Sequence, residues 1–384
     1  MSPIPFGDAL ALTRALVRID SRNPSLVPGA PGEGAVATFL AGVLDAWGFR
    51  VELQETSAGR ANVIGRIGTP GGRSLMLNGH IDVVGVEGMV HPPFDAHESA
   101  GRLYGRGASD MKAGVAAMCA AAARAARQGL GGEAIVAAVT DEEFESAGTR
   151  TLLASGVRAD AAIVTEPTRL AICPAHRGFA WVEVTVLGRA AHGSRYDIGI
   201  DAVRGAALVI AELDRYEARE LIHHRHPLLG HASLHASTIA GGVGWSTYPD
   251  RCVVTVERRT LPGETAAQAL GEVDDACAKV RALRPEFRIS TTLVFAQGPS
   301  DVSVDAPIVA ALRGAISDAR DPIQVEGLSA WTDAALLNDA GIPAICYGPG
   351  DITLAHAAEE YVEVHQIDRA TTVLEGVLHR WFAS

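Results

Sequence analysis

Cysteine is scarce in these 384 residues: five (Cys119, Cys173, Cys252, Cys277, Cys346), widely scattered and never in a C-x-x-C pair. An odd, dispersed set argues against a disulfide framework and reads as free, mostly buried thiols in a reducing cytoplasm. Positive charge is also short. Lys and Arg number 33 against 45 Asp and Glu, a net charge of -12 with no visible basic patch, which argues against nucleic acid and anionic membrane surfaces as partners. No run of 18 apolar residues occurs, which excludes a spanning helix. The opening stretch MSPIPFGDALALTRALVRID interrupts its apolar residues with Arg and Asp and makes a poor signal peptide. There is no internal repeat and no low-complexity tract. What remains is a globular composition, 48% hydrophobic and 20% charged, long enough for two domains with a sizeable core in each.

Helical periodicity marks GDALALTRALVRI and GEGAVATFLAGVLDAWG, where Gly48 is placed as a terminator. The short strand-like runs RVELQE, ANVIGRI and SLMLNGH follow, then an Ala-rich helical segment from Asp110 to Gln128, then the strands AIVAAVT and ADAAIVTEP. Strands alternating with helices predict an α/β layer with a mainly parallel sheet. From about residue 178 the order becomes β-α-β-β-α-β, the ferredoxin-like α+β unit. After residue 296 the α/β texture returns. The expected organisation is therefore a catalytic domain in two parts, 1–178 and 296–384, with an inserted domain at 179–295.

The chemistry is announced by AIVAAVTDEEFESAG, where a buried-strand pattern runs into Asp141, Glu142, Glu143 and Glu145. Four acids in five positions repel one another unless something positive sits among them, and a divalent cation would serve. Other ligand types stand at strand ends. His80 and Asp82 in NGHIDVVG suit a ligand and the carboxylate that orients it. Asp110 in GRGASDMKAG stands where the Ala-rich helix starts, a position equally suited to a helix-capping acid. Glu166 precedes Pro167 at a strand exit, and His356 lies in the Gly/Pro-rich loop GPGDITLAH. Each alone reads as an ordinary polar residue. Together they fall at the carboxyl ends of the strands, where open α/β sheets place their sites.

In order along nearly the whole chain, GHIDVV, LYGRGASDMKAG, TDEE, TEPT, GRAAHGS, TIAGG, TLPGE, TDA and GPGD....AH...EYV resemble the two-zinc hydrolases that include acetylornithine deacetylase, succinyl-diaminopimelate desuccinylase, aminoacylase and glutamate carboxypeptidase. The resemblance implies the zinc-peptidase-like catalytic domain with an inserted lid and dimerisation domain, and hence a homodimer. It places His80 and Glu166 on one zinc, Glu143 and His356 on the other, and Asp110 between them, with Co2+ or Mn2+ as possible substitutes. Glu142 becomes the general base, Asp82 the orienter of His80, and His192 an oxyanion donor that usually reaches the neighbouring subunit's site. Asp141 and Glu145 receive no role and read as solvated loop residues.

An arginine should hold the substrate carboxylate, because its fork matches one bidentately. In VERRTLPGE the resemblance points to Arg259, with Arg258 beside it on the opposite strand face. Three positions depart from the family pattern: Trp331 before TDA where Gly is common, Ser246 where Asn is usual, and Gly85 in place of Pro. Ser246, Trp331 and Thr332 fall in segments expected to contact substrate. Members of this family with Glu at the Glu166 position tend to be amide deacylases, and GPGDITLAH looks most like the acetylornithine deacetylase branch. The implied substrate is an N-acyl amino acid, with a peptide as the alternative, and a catalytically silent metal-binding protein as the less favoured one. The run HHRHPLLGHASLH (His223, His224, His226, His231, His235) has no acid or thiol within it and reads as a solvated connector.

Overall fold

The computed structural model describes residues 3–383. The chain divides into two compact units, one of Met1–Pro174, Val302–Glu326 and Thr332–Ser384, the other of Ala175–Asp301 and Gly327–Trp331. Among the described residues no helix is long and apolar enough to cross a membrane.

In the first unit the sheet runs in the order Arg50–Ser57, Arg60–Gly68, Glu133–Val139, Ser74–His80, Ala162–Val164, Ala344–Cys346, Ile172–His176. Its centre is parallel and its edges are antiparallel. The central strands SLMLNGH and EAIVAAV are buried at every position after the first, which is why they read as near-continuous apolar runs without alternation. The helix Ala113–Gln128 contributes twelve buried residues, eight of them alanine, and small side chains let it lie close to the strands. A Cβ on Gly114 would come 2.0 Å from the carbonyl oxygen of Thr165, and one on Gly348 would come 2.4 Å from the same atom. Those two glycines thus let the helix after Asp110 and the loop leading to His356 close on the backbone just before Glu166.

The second unit carries strands Gly178–Leu187, Ser233–Gly241, Arg251–Thr260 and Arg288–Gln297 in an antiparallel sheet whose spatial order is second, third, first, fourth. Helices Ala202–Arg219 and Ala266–Leu283 fall between the strands in sequence, giving the β-α-β-β-α-β order of the ferredoxin-like unit. Strict alternation of burial along Arg251–Thr260 shows one face covered: Cys252, Val254 and Val256 pack with Val209, Leu213, Val273 and Val280 of the helices. Asp201 caps the first helix and a Thr265–Gln268 capping box starts the second.

Arg258 lies on that covered face. It is 1% exposed, with Nε 2.8 Å from Glu272 Oε2 and Nη1 2.9 Å from Glu264 Oε2. The expectation that Arg258 binds substrate is therefore corrected: its fork is occupied by two glutamates, as strand alternation dictates once Arg259 faces the other way. Removing one partner of a buried ion pair leaves uncompensated charge, so Arg258→Ala should destabilise the fold by about 3–5 kcal/mol in denaturant titration. Arg259→Ala should leave the midpoint nearly unchanged.

Candidate metal centre

The site grows from the carboxyl ends of three parallel strands. His80 ends Ser74–His80, Glu142 and Glu143 follow Glu133–Val139, and Glu166 follows Ala162–Val164. Asp110 sits in a short segment whose backbone leaves helical geometry (φ -119°, ψ 95°) just before the Ala-rich helix, so it does not serve as that helix's N-cap. Its amide N–H and those of Gly107 and Ser109 donate to the Glu360 carboxylate, which Arg106 neutralises at 2.7 Å. Ser109 Oγ and the backbone of Asp351 bond reciprocally, at 3.1 and 3.0 Å, tying the Asp110 segment to the loop of His356.

Two groups of donor atoms result, His80, Asp110 and Glu166 in one and Asp110, Glu143 and His356 in the other, with all donors in each within 4.8 Å of one another. Asp110 belongs to both. Its Oδ1 is 3.1 Å from His80 Nε2, and its Oδ2 is 3.7 Å from His356 Nε2. His356 Nε2 also meets Glu143 Oε2 at 2.9 Å. Glu142 belongs to neither group, its Oε2 lying 4.0 Å from His80 Nε2.

Burial, and then the negative charges around them, push the carboxyls of Glu142, Glu143 and Glu166 above the ordinary range, those of Glu142 and Glu166 well above it. Burial also raises nearby Asp333, to about 6, although Thr149 Oγ1 donates to it at 2.6 Å. The hydrogen bond to Glu143 is the main cause that raises His356 to about 9. Buried carboxylates crowded around two imidazoles form a hard N/O donor set suited to divalent cations. A metal must displace the proton that His356 holds. Cation affinity should therefore rise with pH up to about 9 and fall below it, with proton release on binding. Calorimetric titration with Zn2+ in buffers of different ionisation enthalpy measures that proton, and a binding isotherm independent of pH and buffer would remove His356 from the donor set.

Asp82 meets His80 mainly through its backbone. His80 Nδ1 bonds the backbone carbonyl of Asp82 at 2.9 Å, while the carboxylate lies at 3.6 Å and accepts the N–H groups of Glu142 and Glu143 and the amide of Asn23. Asp82 thus orients the loop of the two glutamates as well as the imidazole.

Asp141 is likewise corrected. It is 3% exposed, and Arg60 and Asn23 hold its Oδ1 at 2.8 and 3.0 Å, with Arg60 shared by Glu33. So part of the positive charge that the acid run demands is Arg60, 81 residues before Asp141. Glu145 is exposed. Thr332 is buried, its hydroxyl accepting from Ala334 N and meeting Cys346 Sγ, a structural rather than a substrate-facing arrangement.

The remaining expected residues belong to the second unit. His192 is exposed with Nδ1 2.8 Å from Ser194 Oγ, Ser246 is exposed and its carbonyl accepts from Gly193 N, and Trp331 donates to the Gly298 carbonyl. Arg259 faces the open side of the sheet, over Phe179 and beside Glu257. Glu360, Arg106, Asn23 and Asp333 receive no role from the sequence, although Arg106, Asp333 and Glu360 fall inside LYGRGASDMKAG, TDA and EYV, because their role is to hold other residues. In the His-rich run, His224 pairs with Glu264 and His226 with Asp301, and the donor groups found among the described residues do not include it.

The sequence matches the profile of peptidase family M20/M25/M40 over residues 76–380. The chain belongs to that family. It is 29% identical to the N-formyl-4-amino-5-aminomethyl-2-methylpyrimidine deformylase of Bacillus subtilis, over 97% of this chain and 94% of that protein. It is 30% identical to the acetylornithine deacetylase of Myxococcus xanthus, over 86% and 88%. Among solved structures, a tripeptidase from Staphylococcus aureus superposes with a TM-score of 0.81 at 16% identity, covering both chains fully. A dinuclear metal binding peptidase of the M20 family from Bacillus subtilis gives 0.74 at 16%, covering 98% and 99%. The M20/M25/M40 chain described here is a hydrolytic enzyme, as its peptidase and deacylase relatives are.

Proposed function

We propose that this chain hydrolyses the amide bond of an N-acyl amino acid, using two divalent cations, zinc foremost. The observation that carries the reading is Asp110, whose two carboxylate oxygens face separate donor groups, His80 with Glu166 and Glu143 with His356. The donor set fits: imidazole nitrogens and carboxylate oxygens are zinc's ordinary ligands, and Co2+ or Mn2+ could substitute. When bound, such a cation pair lowers the pKa of water towards 7 and polarises the amide carbonyl.

The chain's own residues do the rest. Glu142, a carboxylate outside both donor groups, takes a proton from water at Oε and returns it to the departing amine nitrogen. Burial raises its pKa well above the usual carboxylate range, the direction that suits a proton carrier. His192, engaged among the described residues only through Nδ1, would present Nε2 to the developing oxyanion. Arg259 would take the substrate carboxylate, with Ser246 and Trp331 in segments that choose the acyl group and side chain. Glu at position 166 and the deformylase and deacetylase relatives favour an acyl group over a peptide. The test is amine release by metal-loaded enzyme from a panel of N-formyl, N-acetyl and N-succinyl amino acids. Cleavage of dipeptides alone would replace the deacylase by a peptidase of the same family.

A homodimer through the second unit is part of the proposal. The edge strand Ser233–Gly241 is exposed from His235 onward, and Ile239, Val243 and Trp245 stand at 51%, 85% and 107% exposure. Five free buried cysteines suit a reducing cytoplasm. Light scattering of the wild type and of Ile239→Lys tests the dimer.

A further inference from the structure

The loop that carries Glu142 and Glu143 opens on a strained residue. Asp141 holds left-handed backbone (φ 65°), a conformation that a non-glycine residue keeps only where its surroundings enforce it. Three partners do so here. Asp141 N donates to Glu33 Oε1 at 3.1 Å, and Asp141 Oδ1 accepts from Arg60 Nη2 at 2.8 Å and from Asn23 Nδ2 at 3.0 Å.

Arg60 is the centre of this arrangement. Its Nε and Nη2 grip the two oxygens of Glu33 at 2.7 and 2.6 Å, and Nη2 also reaches Asn23 Oδ1 at 3.3 Å. Glu33 is fully buried at the start of the helix Gly34–Ala46, yet its side chain makes no cap there and engages Arg60 and the Asp141 amide instead. Gly34 permits the meeting, since a Cβ there would come 2.4 Å from the carbonyl oxygen of Gly59, the residue before Arg60. Among the described residues Arg60 is the one cation paired with Glu33 or with Asp141. Asn23 extends the network, its Nδ2 donating also to Asp82 Oδ2 at 2.8 Å, and Asp82 accepts the N–H groups of Glu142 and Glu143.

The two glutamates depend on this network unequally. Glu143 has a second anchor, its Oε2 lying 2.9 Å from His356 Nε2. The Glu142 carboxylate has no hydrogen bond among the described residues, only the 4.0 Å approach to His80. Where Glu142 points is therefore set by the backbone that carries it, and that backbone starts from the turn at Asp141. Without the guanidinium, two buried carboxylates would repel each other and the turn would lose its main anchor. We propose that Arg60 is a positioning residue for hydrolysis, which by bridging Glu33 and Asp141 fixes the turn that aims the Glu142 carboxylate. The inference rests on the base role given to Glu142 above.

The test is a double-mutant cycle on the zinc-loaded full chain, run with whichever member of the substrate panel, dipeptides included, the wild type hydrolyses fastest. Arg60→Ala should lower kcat by roughly 10^2-fold, the scale of a misplaced catalytic group, with KM and cation content near those of the wild type. In the Glu142→Ala background the same change should cost nothing further, because the group that Arg60 positions is already gone. Arg60→Lys keeps the charge but not the fork, and should lose about tenfold in kcat, again only when Glu142 is present. It carries the comparison if Arg60→Ala does not fold. Wild-type kcat in either Arg60 variant, loss of bound cations, or a loss that multiplies with that of Glu142→Ala would each overturn the inference. Wild-type turnover in Glu142→Ala itself would remove the base role, and this inference with it.

Discussion

Glu142→Ala should leave the cation content near that of the wild type and remove turnover almost entirely. Glu142 stands outside both donor groups, so its loss removes no donor from either. What it takes is the only carboxylate of the DEE run that neither Arg60 nor His356 engages, and with it, on the proposed function, the proton carrier between water and leaving amine. A positioned acid/base contributes roughly 10^2 to 10^4 in rate, and the loss should fall on kcat far more than on KM. Elemental analysis beside steady-state kinetics separates the two consequences. Turnover equal to the wild type would end the assignment, and metal lost together with activity would make Glu142 a ligand instead.

Asp110→Ala should abolish activity by the other route, by emptying both sites. Asp110 is the one residue common to the two donor groups, and its segment is fixed in place by the N–H groups of Gly107, Ser109 and Asp110 donating to Glu360. Without it each group keeps two donors, too few for a tight tetrahedral site. His356→Ala, by contrast, should lose one cation and keep the other. The difference is also readable in stability. A ligand at 1,000 times its Kd stabilises a protein by about 4 kcal/mol, so added zinc should raise the melting temperature of the wild type and not that of Asp110→Ala. A variant that still binds two cations, or that still gains stability from zinc, would show that Asp110 does not join the groups.

The centre was legible because its residue types sit at strand ends in a recognisable order, and strand ends can be read from local pattern. His80, Glu142, Glu143 and Glu166 follow apolar runs whose strands pair in parallel register, so predicting the strands places the side chains on one rim. Arg258 and Arg259 show where local pattern stops. Alternation says that the two point to opposite faces, but which face the helices cover depends on how Ala202–Arg219 and Ala266–Leu283 pack. Asp141 shows the same limit from the other side. Its solvated-loop appearance fails because Arg60 and Asn23, distant in sequence, close over it.

By itself the sequence determined the α/β and ferredoxin-like order of elements, the net negative charge, and the candidate ligands, since periodicity, composition and side-chain chemistry are local properties. Only the tertiary structure decided that Asp110 turns one oxygen to each donor group, that Glu360 and Asp82 hold the loops in place, and that Arg258 is spent inside the second unit. These are contacts between residues tens to hundreds of positions apart. They exist because packing brings chains of small residues, such as Gly114 and Gly348 against Thr165, within contact distance, and no sequence spacing encodes that approach.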